Sequence, residues 1–134
     1  MLEQELFLTM PWPPSVNNMY SRSSWGVYMT DKARDFKKFE SWNIYNQAVT
    51  QVDKSLPITE TVELIVKAYP PDKRKRDDDN IQKILSDVLV QAKVLGDDSL
   101  IKKRTTEIYY FDDLTKNRGI EIKIKPFKQS KGNI

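Results

Sequence analysis

The acidic side chains of this chain collect at two points, one at each end of a predicted helix. Asp77, Asp78 and Asp79 come directly before an apolar stretch with helical spacing, and Asp97-Asp98 follows that stretch. Carboxylate oxygens are hard ligands that suit Mg²⁺ or Mn²⁺, and a metal held by them can assist attack on a phosphodiester. These residues therefore favour metal-assisted hydrolysis of a phosphate ester, provided that folding brings the two loops together.

The spacing of the first acids indicates which of them would act together. Asp77 and Asp79 are two positions apart, so in an extended approach to the helix they point the same way and Asp78 points the other way. Lys83 follows Asp79 by four positions, which places it above that carboxylate on the same helical face. A metal bound by Asp77, Asp79 and one aspartate of the second loop would then face a lysine able to orient the attacking water or to steady the pentavalent phosphorus.

The same acids also have a purely structural interpretation. Aspartates at a helix start interact favourably with the positive end of the helix dipole, and Asp79 or Asn80 can cap the first turn. Asp79 with Lys83 would then be an ordinary surface pair that contributes about 0.3–0.5 kcal/mol. Against this interpretation, consecutive aspartates repel one another, and one cap would have sufficed.

Basic residues lie beside both acidic points, although the net charge of +3 and the pI of about 9.0 are only a mild bias. Any one basic cluster could be the solvated face of a surface element. Cations that hold a phosphate backbone beside carboxylates that hold a metal are, however, the combination that a phosphodiester-cutting enzyme needs. The predicted phosphate contacts, which imply no base specificity, are Lys73, Arg74, Lys75, Arg76, Lys102, Lys103 and Arg104.

Absent residue types exclude several other classes of protein. Without histidine or cysteine, the chain has no Ser-His-Asp triad, cysteine nucleophile or zinc finger. Its few glycines cannot form a phosphate-cradling loop or a dinucleotide fingerprint. An EF-hand loop that began at Asp77 would require glycine at Gln82 and glutamate at Val88. The functional groups that remain for catalysis or binding are carboxylates, hydroxyls and the side chains of lysine and arginine.

The chain is expected to form one α+β domain with a mixed β-sheet and two main helices. Its 134 residues and 39% hydrophobic content suit a single modest core. The order is β-α-β-α-β-β, and residues 20–29 could add a short hairpin before the first helix. The other predicted elements are a first strand around residues 6–10, a helix from Asp31 to about Val52 capped by Thr30, a strand from Thr61 to Tyr69, a helix from about Asn80 to Lys93, and strands from Ile101 to Phe111 and from Gly119 to Lys125.

The ends of the chain carry two further expectations. The domain should span residues 1–126, and residues 127–134 form a polar tail that we expect to be disordered. The N-terminus lacks the basic start and apolar stretch of a secretion signal, so a cytoplasmic location is expected. No apolar run is long enough to cross a bilayer, and no membrane association is therefore expected.

Three blocks of sequence carry a resemblance to a known family. The first is Met10-Pro11-Trp12-Pro13-Pro14-Ser15-Val16-Asn17-Asn18, followed by Tyr20. The second is the basic run followed by Asp77-x-Asp79-Asn80-x-Gln82-Lys83, with Asp87 further along the helix, and the third is Gly96-Asp97-Asp98 ahead of a strand. In order and spacing these blocks resemble the RusA-type Holliday-junction resolvases, which are found largely in bacteria, prophages and phages.

The resemblance implies a homodimer that binds a four-way junction and introduces paired nicks with Mg²⁺ or Mn²⁺, in DNA recombination and repair. Position by position, it implies that Asp77, Asp79 and Asp98 are the catalytic metal ligands and that Lys83 is the essential lysine. Asp78 stands where relatives often have an apolar residue, so it could be an extra ligand or could face solvent. A dimer also makes physical sense, since one site per subunit is needed to cut two strands symmetrically.

Two rival functions stay open at this point. One is a metal-dependent nuclease of broader selectivity that cuts flaps or forks, and the other is a DNA-binding protein whose acids are merely structural. The roles of two aromatic residues are also left open by the sequence. Trp12 could be a wedge against DNA or a structural residue at a dimer interface, and Tyr69 could stack on an unpaired base or belong to the core.

Overall fold

The computed structural model describes residues 5–14, 20–23, 26–52, 56–71, 78–110 and 119–128, and of residues 20–23, 26–29, 78 and 79 it describes the backbone alone. The predicted α+β class with a mixed sheet and two helices is confirmed. The elements are β1 Leu6–Met10, β2 Tyr20–Ser23, β3 Gly26–Met29, α1 Asp31–Val49, β4 Val62–Tyr69, α2 Asp78–Gln91, a 3₁₀ turn Asp98–Leu100, β5 Ile101–Ile108 and β6 Gly119–Pro126.

The main sheet has four strands in the order β1-β6-β4-β5, and β2 pairs with β3 in a separate hairpin. Strands β1 and β4 both run antiparallel to β6, whereas β4 and β5 run parallel. A parallel pair needs a crossover connection, which α2 supplies between β4 and β5. This crossover brings α2, which carries Lys83, beside β5, which carries Lys102, Lys103 and Arg104.

The strands bury one face of the sheet because apolar residues recur at every second position along them. Every second residue of β1 is buried, namely Leu6, Leu8 and Met10, and the residues between them are exposed. The core-facing residues of the two central strands and of α2 complete this core: Val62, Leu64, Val66, Ile120, Ile122, Ile124, Ile81, Leu85, Val88 and Leu89. Neither described helix is long and apolar enough to span a membrane.

Both helices differ from their predicted bounds at one or both ends. Helix α1 begins after Thr30, whose hydroxyl accepts the Ala33 N–H at 3.3 Å as predicted, and ends at Val49 rather than near Val52. Helix α2 ends at Gln91 instead of Lys93 because Lys93 adopts a left-handed φ of 59°, which cannot continue a right-handed helix. The extended approach predicted for residues 77–79 is wrong at residues 78 and 79, because both lie inside the first turn of α2.

The outer edge of β1 is covered by two glutamines of α1. Gln47 accepts the Thr9 N–H and donates to the Thr9 carbonyl, both at 2.8 Å. Gln51 accepts the Phe7 N–H at 2.8 Å and donates to the Phe7 carbonyl at 2.7 Å. Each side-chain amide therefore takes the place of a neighbouring strand on an edge that would otherwise be open to pairing with another chain.

We expect Gln47→Ala and Gln51→Ala each to lower the free energy of unfolding by about 1 kcal/mol, since each removes a pair of hydrogen bonds whose strand partners can still bond to water. Urea unfolding followed by circular dichroism measures this loss. Asn46→Ala is the matched control, because the Asn46 amide bonds only within α1, to the Trp42 carbonyl at 2.7 Å. Equal effects at Gln47 and Asn46 would contradict the role assigned to the strand edge.

The two aromatic residues left open by the sequence both have structural contacts. Tyr69 is 7% exposed, stacks on Tyr109 with ring centroids 5.2 Å apart, and donates from its hydroxyl to Glu121 at 3.1 Å. Trp12 is partly buried and packs against the core. The contacts of both residues favour the structural interpretation over direct contact with bases.

Candidate active site

An open cleft lies between α2, the 3₁₀ turn and β5. Its volume is about 420 Å³, within the range of ligand sites in proteins. The residues that line it are Gln82, Lys83, Ser86 and Asp87 from α2, Asp98 from the 3₁₀ turn, and Arg104 and Thr106 from β5. The cleft is therefore polar and carries both signs of charge.

Regular spacing in α2 and β5 places these side chains. The residues of α2 form two pairs four positions apart, Gln82 with Ser86 and Lys83 with Asp87, so each pair occupies neighbouring turns on one side of the helix. In β5, Arg104 and Thr106 are paired with the buried residues Leu64 and Val66 of β4 and thus share the sheet face that the helices cover. The cleft is a direct product of the β4-α2-β5 connection.

Hydrogen bonds between α2 and β5 fix the wall of the cleft. Gln82 donates from Nε2 to the Thr106 hydroxyl at 2.6 Å. Arg104 donates from Nη1 to the Ser86 hydroxyl at 2.6 Å and to Gln82 Oε1 at 3.4 Å. The Ser86 hydroxyl in turn donates to the Gln82 carbonyl at 2.8 Å. Since Gln82 and Ser86 are both buried, their polar groups would be costly to leave without these partners.

A buried cation from α1 contacts one of the acids that line this cleft. Lys37 Nζ lies 3.0 Å from Asp87 Oδ2, and its side chain is only 6% exposed, whereas that of Asp87 is 38% exposed. A buried ammonium group needs polar or charged partners, so this contact fixes the Asp87 carboxylate in the lining of the cleft. Sequence reasoning missed Lys37. The available signal was a charged residue on the stripe of α1 that also carries the buried Ala33, Ile44 and Ala48.

Asp97 and Asp98 have different surroundings, although the sequence alone left open which of them completes the site. Asp97 caps the 3₁₀ turn, and its carboxylate accepts the Ser99 hydroxyl and the Ser99 N–H, the latter at 3.2 Å. These bonds, the hydroxyl bond first, hold the pKa of Asp97 below its ordinary value. Asp98 instead lines the cleft. The geometry therefore favours Asp98 as the acid of the second loop, as the resemblance implies.

Three predicted site residues meet in the cleft: Lys83, Asp98 and Arg104. Asp79 lies in the first turn of α2, one turn before Lys83, and the structure describes only the backbone of Asp79. Asp77 and the basic run from Lys73 to Arg76 lie outside the described residues altogether. The predicted carboxylate cluster is thus described only at Asp98.

Lys102 and Lys103 do not line the cleft. Lys103 is paired in register with Glu63, and its Nζ lies 3.7 Å from Glu63 Oε2 on the sheet face opposite the helices. Lys102 occupies the shift in register between Val62 and Glu63 and is exposed. Of the three consecutive basic residues of β5, Arg104 is the one that lines the cleft.

The donor set of the cleft suits a hard divalent cation. Asp87 and Asp98 both contribute carboxylates to its lining, and carboxylate oxygens are the preferred ligands of Mg²⁺ and Mn²⁺. Among the side chains that the structure describes, no three acidic residues form a group that could hold a metal by themselves. A set of three carboxylate ligands would therefore need an acid from outside these described side chains.

Comparison with known proteins connects this cleft to one family. The family model of Endodeoxyribonuclease RusA matches residues 11–125. The chain is 30% identical over 118 residues to the crossover junction endodeoxyribonuclease rusA of Enterobacteria phage HK97, covering 88% of this chain and 86% of that protein. It is 28% identical over 94 residues to the crossover junction endodeoxyribonuclease RusA of Escherichia coli K12, covering 70% and 74%. The matched segment contains every element from α1 to β5 and all the described residues that line the cleft, and the chain therefore belongs to the RusA endodeoxyribonuclease family.

Proposed function

We propose that this chain is a structure-selective endodeoxyribonuclease that resolves Holliday junctions by metal-dependent paired nicking, in DNA recombination and repair. Its family and the names of its relatives support the reaction class. The observation that carries the proposal is the cleft in which Lys83, Asp98 and Arg104 converge from three different elements. A cleft lined by a carboxylate and two cations suits a site that must hold both a metal and a phosphodiester.

The proposed metal is Mg²⁺, with Mn²⁺ as an alternative. Asp77, Asp79 and Asp98 would hold it, and Asp87, fixed by Lys37, offers a further carboxylate on the same cleft. When bound, such an ion supplies Lewis-acid stabilisation of the negative charge that develops on the phosphate. Asp79 lies one helical turn before Lys83, so its position on α2 suits this role.

The side chains of the cleft have separate tasks in this proposal. Lys83 supplies a positive charge that stabilises the pentavalent phosphorus or orients the attacking water. Arg104 supplies a second positive charge for the phosphate. Lys37 holds the Asp87 carboxylate in place through their 3.0 Å contact.

Paired nicking requires two such clefts, one for each cut strand, and the proposed assembly is a homodimer with two-fold symmetry. Sedimentation equilibrium measures the mass in solution directly. A mass of twice that of the 15.7 kDa chain supports the proposal. A monomer that remains monomeric when a junction is added would contradict it.

The activity is tested with a synthetic four-way junction, a fork and a linear duplex, each incubated with Mg²⁺ or with EDTA. We expect paired nicks in the junction alone and only with Mg²⁺. Equal cutting of the fork would favour a nuclease of broader selectivity for branched DNA. Binding of the junction without metal-dependent cutting would rule out both nucleases and favour a non-catalytic DNA-binding protein.

A further inference from the structure

Arg104 differs in its bonding from several described lysines that are paired with acids. Lys37, Lys103 and Lys123 each lie within 4 Å of a carboxylate. The described hydrogen-bond partners of Arg104 are instead the neutral side chains of Gln82 and Ser86, although Asp87 and Asp98 line the same cleft. The positive charge of Arg104 is therefore held in the cleft without being neutralised by these partners.

The bonding of Arg104 also leaves part of its guanidinium available. Both bonds to α2 start from Nη1, at 2.6 Å to Ser86 and 3.4 Å to Gln82, so the Nη2 and Nε hydrogens take no part in them. The side chain is exposed, whereas Gln82 and Ser86 are buried. A guanidinium stays protonated in proteins, and its planar set of N–H donors matches two oxygens of one phosphate. Arg104 is thus anchored on one side and open to a ligand on the other.

We propose that Arg104 binds the phosphate that is to be cut, and that Gln82 and Ser86 are positioning residues that hold its guanidinium in the cleft. That the phosphate belongs to DNA is taken from the proposed function, and the inference rests on the DNA-binding part of that proposal. Neutral anchors suit this task because a carboxylate partner would cancel the charge that attracts the phosphate. Gln82, a residue of α2, also donates to the Thr106 hydroxyl of β5. Its side chain is therefore fixed relative to both elements.

The role of the Arg104 charge is tested with the variant Arg104→Gln. Its affinity for a labelled four-way junction is measured by fluorescence anisotropy in EDTA at several salt concentrations. We expect affinity to fall about tenfold and the slope of log K against log salt to become shallower by about 1, as loss of one phosphate contact predicts. Lys67→Gln is the matched control, because Lys67 is exposed on β4 and points to the sheet face opposite the helices. This control should change affinity by less than about twofold.

The neutrality of the anchor is tested with Gln82→Glu. The new carboxylate would lie where Gln82 Oε1 now accepts from Arg104, and the Thr106 hydroxyl can donate to it. A purely structural link between α2 and β5 would be kept or strengthened, so the melting temperature should not fall. We nevertheless expect junction binding in EDTA to weaken about tenfold, because the charge of Arg104 is neutralised. Gln91→Glu adds the same charge at an exposed position at the end of α2 and should have a much smaller effect.

The positioning role of Ser86 is tested with Ser86→Ala. Since the charge of Arg104 remains, the salt dependence of binding should stay as in the wild type. We expect kcat for junction cleavage to fall about tenfold with little change in KM, because the phosphate would no longer be held in the reactive geometry. A lower melting temperature with unchanged kcat would mean that the hydroxyl has only a structural role.

Failures of the two proposals can be told apart. Wild-type protein that binds the junction but does not cut it with Mg²⁺ would overturn the proposed function, while the binding of Arg104→Gln and Gln82→Glu would still decide the inference. If both variants bind the junction as the wild type does, Arg104 is not a phosphate contact. If the wild type binds no junction at all, both proposals are wrong.

Discussion

The Asp98→Asn variant is expected to cut a four-way junction about 100-fold or more slowly than the wild type while binding it at least as tightly. The substitution keeps the shape of the side chain but removes one negative charge from the cleft that Asp98 lines. Substitution of a residue that only hydrogen-bonds to a metal ligand lowers metal affinity or activity about 10–100-fold. Substitution of a ligand itself should therefore lower activity by at least as much. Removing negative charge should not weaken contacts to phosphate. Single-turnover cleavage and anisotropy measure the two quantities separately.

Asp97→Asn is the matched control for this prediction. It makes the same chemical change one residue earlier, at a carboxylate that is bonded to Ser99, and asparagine can cap a turn about as well as aspartate. Its cleavage rate should stay within about threefold of the wild type. Asp79→Asn should behave like Asp98→Asn, with cleavage lost and binding kept. Normal cleavage by either Asp79→Asn or Asp98→Asn would contradict the metal ligands proposed for this chain.

Gly119→Ala is expected to lower the free energy of unfolding by about 3 kcal/mol or more. Gly119 starts β6 with a φ of +75°, a conformation in which any side chain is strained. A Cβ atom at this position would lie 2.4 Å from the Met10 carbonyl oxygen and 3.0 Å from the Pro11 Cα. Both neighbours are backbone atoms, so relief of the clash requires β1 and β6 to separate where Met10 pairs with Ile120. Such a loss is a large fraction of the stability of a small domain.

Gly96→Ala is the comparison for Gly119→Ala. A Cβ atom there would lie 3.2 Å from the Ile58 carbonyl oxygen, a tight contact that a small shift can relieve. We expect a distinctly smaller loss of stability, measured by urea unfolding of both variants under the same conditions. If the two variants lose the same amount of stability, or Gly119→Ala loses less, then β1 and β6 do not approach each other as closely at Gly119 as the structure indicates.

The fold could be predicted from the sequence wherever one side of an element is buried. The alternation in β1 and β6 and the helical spacing from Ile81 to Leu89 reflect contact with a single core, and these elements lie where the sequence indicated. Helix ends were less predictable because they depend on single backbone angles. The left-handed turn at Lys93, which ends α2 early, has no signal in the residue type, since lysine rarely adopts it.

The site could be predicted only in part, because its side chains belong to separate elements. Helical spacing already related Asp79 to Lys83, and the resemblance added Asp98. Sequence could not reveal that Lys37 reaches Asp87 or that Gln82 and Ser86 anchor Arg104, because those pairs are up to 50 residues apart and meet only through tertiary packing. Nor could it separate Arg104 from Lys103, since which sheet face each residue occupies follows from the register of β5 on β4.

Mapping the cuts in a four-way junction tests the central claim most directly. Each of the junction's strands is labelled in turn, the protein is added with Mg²⁺, and the cut positions are read at single-nucleotide resolution. We predict nicks at symmetric positions in two opposite strands, which convert the junction into two linear duplexes, and no nicks when EDTA replaces Mg²⁺. Cuts that are confined to one strand, that appear equally in linear duplex, or that persist in EDTA would contradict a metal-dependent junction resolvase.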